Sequence, residues 1–292
     1  MPKAKQNCRR QNGIVKTKQD RANIEENRIK LLVSDIDDTL VHKETELDQE
    51  TVSMIERLRE RGIGFTLATG RMPYRAENFA RQVGLTLPFI ANNGSILCRD
   101  GQFCYRKMLY AGQFREQFRS YMKENPDFTV IFSYPDRERP IFETEWVKAR
   151  RHKYKGYDEP LGDLDAVWEQ EVDKVYILDE KRSGIIGMAV EALRQKKCAC
   201  SIFQYQQYSA EIVAEGCSKA SGLQQLLKEL GLKQSEVLAV GDHSNDIEML
   251  REAGIGAAVG NAQPELKAAA DYTAQAERAA GVREIVRHFL SV

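Results

Sequence analysis

The sequence lacks an excess of charge of either sign. Its 292 residues include 43 Lys and Arg and 43 Asp and Glu, so the formal net charge is zero. A balanced protein has no long-range field that attracts polyanions. We therefore expect neither nucleic acid nor a membrane among its partners.

The sequence also lacks a membrane-spanning run and a metal-binding cysteine pattern. It has no stretch of about 20 apolar residues and no apolar segment typical of secretion signals. None of its six cysteines forms a CxxC pair, and no His lies at zinc-ligand spacing from them. We expect a cytoplasmic protein with reduced thiols.

Internal repeats and low-complexity tracts are absent as well. At about 150 residues per domain, the length allows one large domain or two. Residues 1–30 hold nine basic groups, three acidic groups and few apolar side chains. We interpret residues 1–28 as a basic, disordered tail. A transit peptide is the alternative, but the segment has no convincing amphipathic periodicity.

The segment after this tail alternates strands and helices. Residues 30–34, 63–68 and 88–91 are apolar runs typical of buried strands. A helix is predicted between the first two, from Asp48 as N-cap to about residue 61, and a second helix begins near Pro73. This order predicts a parallel sheet, in which ligands bind at the carboxyl ends of the strands.

The pattern changes near residue 95, where hairpins and helices become mixed, and the alternation returns after residue 208. We therefore predict an α/β fold with a doubly wound, parallel-sheet, Rossmann-like core. This core is formed by residues 29–94 and 209–292, and residues 95–208 form an inserted α+β domain.

Carboxylates follow two of the predicted core strands. Asp35 and Asp37 come after the first strand, and Asp242 and Asp246 come after the strand predicted over 236–240. Four carboxylates that face one point need a cation, and oxygen ligands favour Mg²⁺ or Ca²⁺ over zinc. Mg²⁺ is normally held by one or two carboxylates together with waters and substrate phosphate. A Mg²⁺ site here would therefore have room for a phosphoryl group.

These acids also allow two other interpretations. An EF-hand loop that starts at Asp35 would have Leu40 at its sixth position, where the sharp turn needs Gly. Single acids often serve as turn residues or helix N-caps, an interpretation that we keep for Asp38 and Asp48.

Four motifs resemble those of the haloacid dehalogenase superfamily and occur in its order. They are Asp35-Ile-Asp37-Asp38-Thr39 (DxDxT), Thr69-Gly70-Arg71, Lys219 within residues 215–219, and Gly241-Asp242-His243-Ser244-Asn245-Asp246 (GDxxND). The insert is similar to the α/β cap of the Cof-type branch. Asn92-Asn93-Gly94 and Val259-Gly260-Asn261-Ala262 also resemble that branch. Asp38 is a departure, since many relatives have Gly there.

The resemblance implies a Mg²⁺-dependent phosphatase that forms an aspartyl-phosphate on a small phosphorylated metabolite, such as a sugar phosphate. It implies catalytic roles for Asp35 as nucleophile, Asp37 as general acid and base, and Lys219. Phosphate contacts would come from Thr69, Gly70 and Asn245. The metal contacts would come from Asp35, the main-chain carbonyl of Asp37, Asp242 and Asp246.

The same motifs allow two other functions. A phosphomutase or phosphotransferase would use the same aspartyl-phosphate, and a non-enzymatic binding protein could retain the fold. We expect a monomer or weak homodimer, with substrate specificity determined by the inserted domain.

Overall fold

The computed structural model describes residues 29–42, 46–153 and 158–292. The predicted tail at residues 1–28 lies outside the described residues. Among the helices that are described, none has the length and apolar character needed to cross a membrane.

Fifteen strands and ten helices are described in these ranges. The strands are β1 (Leu31–Ser34), β2 (Gly64–Leu67), β3 (Phe89–Ala91), β4 (Ile96–Arg99), β5 (Gln102–Arg106), β6 (Leu109–Tyr110), β7 (Phe128–Ser133), β8 (Glu138–Pro140), β9 (Glu171–Val172), β10 (Lys174–Asp179), β11 (Cys200–Tyr205), β12 (Ser209–Ala214), β13 (Val237–Gly241), β14 (Ile255–Ala258) and β15 (Tyr272–Thr273). The helices are α1 (Gln49–Glu60), α2 (Pro73–Gln82), α3 (Arg115–Glu124), α4 (Glu145–Lys153), α5 (Asp165–Trp168), α6 (Ile185–Gln195), α7 (Lys219–Leu230), α8 (Ile247–Glu252), α9 (Pro264–Ala269) and α10 (Arg278–Leu290).

The first sheet is parallel, with strand order β15-β14-β13-β1-β2. Strand β1 lies between β13 and β2, and Ser34 pairs with Val240 on one side and Leu67 on the other. All residues of β1 and β13 are buried, as expected of central strands covered on both faces. The predicted α/β class with a Rossmann-like core is confirmed.

The helix ends of this part follow the sequence signals. The Asp48 side chain accepts a hydrogen bond from the Thr51 amide at 2.7 Å and caps α1. Pro73 occupies the first turn of α2, and Gly231 ends α7 with a φ of 66°. The two ends of α1 and the start of α2 were predicted to within about two residues.

The second sheet is antiparallel, with strand order β11-β12-β10-β7-β8. It covers a separate apolar cluster in which Phe118, Phe132 and Trp168 are fully buried. Trp168 meets the two phenylalanine rings edge-on, with centroid distances of 6.5 and 5.3 Å. The predicted change from parallel to mixed α+β structure therefore corresponds to a second core.

The limits of the sheets differ from the predicted limits of the inserted segment. Strand β12, which we assigned to the core from residue 209, pairs with β10 and β11 in the second sheet. Strands β4 and β5, which we assigned to the insert, form a three-stranded sheet with β3 in the order β3-β4-β5, and Ile96 and Leu97 join the first apolar cluster. A short apolar run does not reveal which sheet it joins, because periodicity reports burial rather than strand partners. The division into two domains stays a prediction.

Candidate active site

The parallel pairing of β1 and β13 brings the two acidic turns together. Asp35 and Asp242 directly follow these neighbouring strands, and their burial leaves them 4% and 7% exposed. Asp246 is fully buried in the short 3₁₀ turn after β13, and its Oδ2 accepts hydrogen bonds from the amides of Asp242 and His243 at 3.1 Å. Carboxylate oxygens of Asp35, Asp242 and Asp246 all lie within 4.8 Å of one another.

Lys219 provides a buried positive charge within this cluster. It is the first residue of α7, whose start is fixed by the Ser218 side chain accepting a hydrogen bond from the Ser221 amide. Its Nζ lies 2.6 Å from Oδ1 of Asp35 and 2.6 Å from Oδ1 of Asp246, and only 1% of the residue is exposed. The ammonium group therefore ties the two acidic turns together.

One ammonium group does not neutralise three carboxylates. Burial raises the pKa of Asp35 well above its usual value, against the lowering effect of Lys219, and the neighbouring acids raise it further. Burial and Asp246 raise the pKa of Asp242 to about 7, although the Thr39 hydroxyl donates to this carboxylate at 2.8 Å. A buried excess of negative charge with hard oxygen donors favours a divalent cation. The residues present therefore fit Mg²⁺.

Asp37 occupies a different environment from the three clustered acids. Its side chain is 51% exposed and accepts a hydrogen bond from Nε of Arg71 at 2.8 Å. The guanidinium of Arg71 also lies 4.9 Å from the centre of the Phe79 ring, which fixes its orientation. The Asp37 carboxylate thus lies at the open side of the site, within reach of an incoming molecule.

The three predicted phosphate-contact residues are brought to the same region. Thr69 is fully buried, and its hydroxyl oxygen accepts a hydrogen bond from the Arg71 amide at 3.1 Å. Gly70 and Asn245 line the cavity next to Asp35. A Cβ on Gly70 would lie 3.0 Å from Oε2 of Glu211, so a side chain at this position would crowd the neighbouring carboxylate.

A cavity of about 390 Å³ extends from the acidic cluster to the second sheet. Its far wall includes side chains that the sequence analysis did not identify: Lys174, Tyr176, Tyr205, Tyr208 and Glu211. Lys174 and Glu211 form an ion pair of 2.6 Å. Lys174 and Glu211 each lie in a mostly apolar strand, and this was the sequence signal that could have identified them. Buried charges are rare unless they are paired.

The two tryptophans have different surroundings. Trp168 packs in the second core. Trp146 lines the cavity and lies 6.1 Å from the Tyr176 ring. The sequence could not separate these cases, because aromatic side chains occur both in cores and in binding sites.

Comparisons with known proteins agree with this architecture. A family model described as haloacid dehalogenase-like hydrolase matches residues 32–286. A 5-amino-6-(5-phospho-D-ribitylamino)uracil phosphatase of Bacillus subtilis (strain 168) is 28% identical over 264 residues, which cover 90% of this chain and 96% of the relative. A phosphatase of the same name from Escherichia coli (strain K12) is 24% identical, covering 88% of this chain and 95% of the relative.

Solved structures show the same similarity. A member of the haloalkanoate superfamily phosphatases from Bacteroides thetaiotaomicron is 26% identical, with a TM-score of 0.75 over 97% of this chain and 100% of that one. A haloacid dehalogenase-like hydrolase from the same organism is 25% identical, with a TM-score of 0.76 over 89% of this chain and 99% of that one.

The chain belongs to the haloacid dehalogenase-like hydrolases, because the family model spans nearly its whole described length. The predicted superfamily is therefore confirmed. The predicted enzyme class, phosphoric monoester hydrolase, is confirmed as well.

Proposed function

We propose that the protein is a Mg²⁺-dependent phosphatase that hydrolyses a small phosphomonoester through an aspartyl-phosphate on Asp35. The observation that carries this proposal is the position of Asp35. Its carboxylate lies at the floor of a cavity, bound to Lys219 and clustered with two further acids. A metabolite with a phosphate group can reach this floor from the open side.

Asp35, Asp242 and Asp246 would hold the Mg²⁺ ion, with the main-chain carbonyl of Asp37 as a further ligand. When bound, the ion supplies positive charge next to the phosphoryl oxygens. Lys219 adds a second positive charge beside the nucleophile, because its Nζ lies 2.6 Å from Oδ1 of Asp35. The nucleophile and the phosphate can then approach each other without strong repulsion.

The chemical steps are assigned to the two acids of the first turn. An oxygen of Asp35 attacks phosphorus, and the bond from phosphorus to the ester oxygen breaks. Asp37 donates a proton to that leaving oxygen, and then accepts a proton from the water that hydrolyses the aspartyl-phosphate. The hydrogen bond from Arg71 holds the Asp37 side chain beside the cavity in which both transfers occur.

Thr69, Gly70 and Asn245 would contact the transferring phosphoryl group. Gly70 and Asn245 line the cavity, and Thr69 precedes Gly70 in the turn after β2. Hydrogen-bond donors that are already oriented towards the phosphoryl oxygens would stabilise the negative charge on these oxygens in the transition state.

The substrate class is suggested by the far wall of the cavity. Ionic groups and hydroxyls alternate there with aromatic rings, including Lys174, Glu211, Trp146 and Tyr176. Such a wall suits a polar leaving group with several hydroxyls and room for a planar ring. Sugar phosphates and 5-amino-6-(5-phospho-D-ribitylamino)uracil, named for the curated relatives, both meet this description.

The Asp35→Asn substitution tests the proposal with almost no change in side-chain volume. We expect orthophosphate release to fall by about 1,000-fold or more, since the nucleophile is lost. The fold should be retained, which circular dichroism can verify. A panel of phosphomonoesters with the wild-type enzyme gives the substrate, and release of free orthophosphate distinguishes hydrolysis from phosphoryl transfer.

Metal dependence is tested on the same wild-type enzyme. EDTA should stop orthophosphate release and excess Mg²⁺ should restore it, because the clustered carboxylates need a cation. Full activity of Asp35→Asn, or full activity of the wild type in EDTA, would contradict the proposal.

A further inference from the structure

A chain of hydrogen bonds connects the second sheet to the Asn245 side chain. Oε2 of Glu211 on β12 accepts from Nδ2 of Asn93 at 2.7 Å. Oδ1 of Asn93 then accepts from Nδ2 of Asn245 at 3.0 Å. These three residues lie far apart in the sequence, and they meet where the second sheet contacts the acidic turns.

The chemistry of the groups determines the direction of this chain. A carboxylate only accepts hydrogen bonds, so the amide nitrogen of Asn93 must face Glu211 and its oxygen must face Asn245. An amide oxygen likewise only accepts, so Asn245 must turn its nitrogen towards Asn93. The negative charge of Glu211 therefore fixes which atom of each amide points which way.

The Glu211 carboxylate is itself held from two further sides. Nζ of Lys174 donates to Oε1 of Glu211 at 2.6 Å and to the carbonyl oxygen of Gly70 at 3.2 Å. The hydroxyl of Tyr205 donates to Oε2 of Glu211 at 3.0 Å. Lys174 is 4% exposed, so little water competes for these bonds.

Asn93 cannot touch a substrate, because it is fully buried and does not line the cavity. It lies in the turn after β3 with a φ of 50°, a left-handed conformation that Asn tolerates better than most residues. Its side chain bridges Glu211 and Asn245 through one hydrogen bond to each.

We propose that Glu211 and Asn93 are positioning residues, which orient the Asn245 amide so that its nitrogen points towards the phosphoryl site. The second N–H of Asn245 then donates to a phosphoryl oxygen. This inference rests on the proposed function, because it takes Asn245 as a phosphate contact. It also makes the orientation of Asn245 dependent on the position of the second sheet.

Two single substitutions and their combination test the direction of the chain. In Glu211→Gln, an amide nitrogen faces Asn93, so Asn93 and Asn245 must both turn over. In Asn93→Asp, two carboxylates face each other. In the double variant, Gln at position 211 donates to Asp at position 93, which still accepts from Asn245. The wild-type orientation of Asn245 is thereby restored, with the same total charge.

We expect Glu211→Gln to lower kcat/KM for p-nitrophenyl phosphate about tenfold or more, since loss of one oriented donor can cost about 100-fold. Asn93→Asp should lower it as well, because repulsion between the two carboxylates displaces the side chain that holds Asn245. The double variant should be more active than either single variant. Orthophosphate should inhibit Glu211→Gln more weakly than the wild type and inhibit the double variant normally. If Glu211 and Asn93 were needed only for folding, exchanging the carboxylate and the amide between these two positions would not restore kcat.

Asp173→Asn serves as the matched control. Asp173 is a buried acid next to Lys174 and pairs with Arg106 at 2.7 Å, outside this hydrogen-bond chain. This variant should lower the Tm and leave kcat per folded molecule near the wild-type value.

Wild-type kcat/KM in both single variants, or a double variant no more active than the weaker single one, would overturn the inference. If Asn93→Asp does not fold, unchanged orthophosphate inhibition in Glu211→Gln would overturn it alone. Failure of the proposed function looks different, because the wild type itself would then release no orthophosphate.

Discussion

The two sheets contribute to the cavity in different ways. The parallel sheet contributes residues from the turns that follow its strands, such as Asp35 after β1 and Asp242 after β13. The antiparallel sheet contributes residues from within its strands. On β10, Lys174 and Tyr176 line the cavity, whereas Val175 and Ile177 are buried in the second core.

This difference separates the chemistry from the choice of substrate. Turn residues at the carboxyl ends of parallel strands are brought to one edge of the sheet by the pairing of the strands, which is where ligands bind in such sheets. Alternate residues of an antiparallel strand can be replaced on one face while the other face keeps its packing. We therefore expect substitutions in the first region to abolish turnover, and those in the cavity wall of the second, apart from the positioning residue Glu211, to change mainly substrate affinity.

Lys219→Met should have the largest effect on both activity and stability. Removing one member of a buried ion pair usually costs about 3–5 kcal/mol, because the remaining charges are left unpaired. Two carboxylates bind Lys219 here, so Asp35 and Asp246 would repel each other. We expect no measurable orthophosphate release and a lower free energy of unfolding in urea, partly regained on addition of Mg²⁺.

Lys228→Met on the same helix is the control for this prediction. Lys228 is exposed, and surface substitutions usually change stability by less than about 0.5 kcal/mol. Equal stability of the two variants would contradict the importance of the buried ion pairs.

Trp168→Ala should be similarly destabilising but act on the second region. Loss of a fully buried tryptophan costs about 3–5 kcal/mol through the cavity that it leaves. The acidic cluster belongs to the other region, so we expect unchanged Mg²⁺ affinity by calorimetry at a temperature where the variant is folded. Leu164→Ala is the control, because Leu164 is 67% exposed. A large loss of Mg²⁺ affinity would show that the two regions are not separate.

Trp146→Ala should affect substrate affinity more than turnover. We expect KM for the preferred substrate to rise about 2- to 13-fold, corresponding to the roughly 0.5–1.5 kcal/mol of one aromatic contact. The value of kcat should stay near that of the wild type, because Trp146 lies on the far wall of the cavity. Phe142→Ala, at an exposed aromatic residue outside the cavity lining, is the control. A fall in kcat at constant KM would count against the separation of roles.

Asp48→Ala should have the smallest effect and depend on pH. Loss of an N-cap costs about 1 kcal/mol. Burial raises the pKa of Asp48, but the hydrogen bonds from Arg283 and Thr51 outweigh this and lower the pKa below the usual 3.8. A lowered pKa means that the stabilisation is fully present well above pH 3.8 and is lost as pH falls below it.

The Tm difference between wild type and Asp48→Ala should therefore be constant near neutral pH and shrink in acid. Glu56→Ala, at an exposed position of the same helix, is the control and should change the Tm little, as surface substitutions usually do. A difference that grows in acid would contradict the ion pair between Asp48 and Arg283.

Much of the first region could be predicted because its signals are local. The N-cap Asp48 and the first-turn proline Pro73 act through hydrogen bonds and dihedral angles within one turn. The clustering of Asp35 with Asp242 also followed from strand order, since neighbouring parallel strands end at one edge.

The membership of β12 in the second sheet could not be predicted in this way. Its residues have the same apolar character whether they join a parallel or an antiparallel sheet, and only the pairing with β10 and β11 decides between them. Glu211 therefore looked like part of the core segment, although it faces the cavity from the second sheet.

The sequence by itself determined the helix ends, the buried strands and the four acids and one lysine that mark the site, because these depend on neighbouring residues in the chain or on motif order. The tertiary structure alone decided that Asp37 pairs with Arg71 and that Lys174 and Glu211 reach the Gly70 and Asn93 turns. Such contacts join residues far apart in the chain, and their energy depends on distance and burial, which no local pattern encodes.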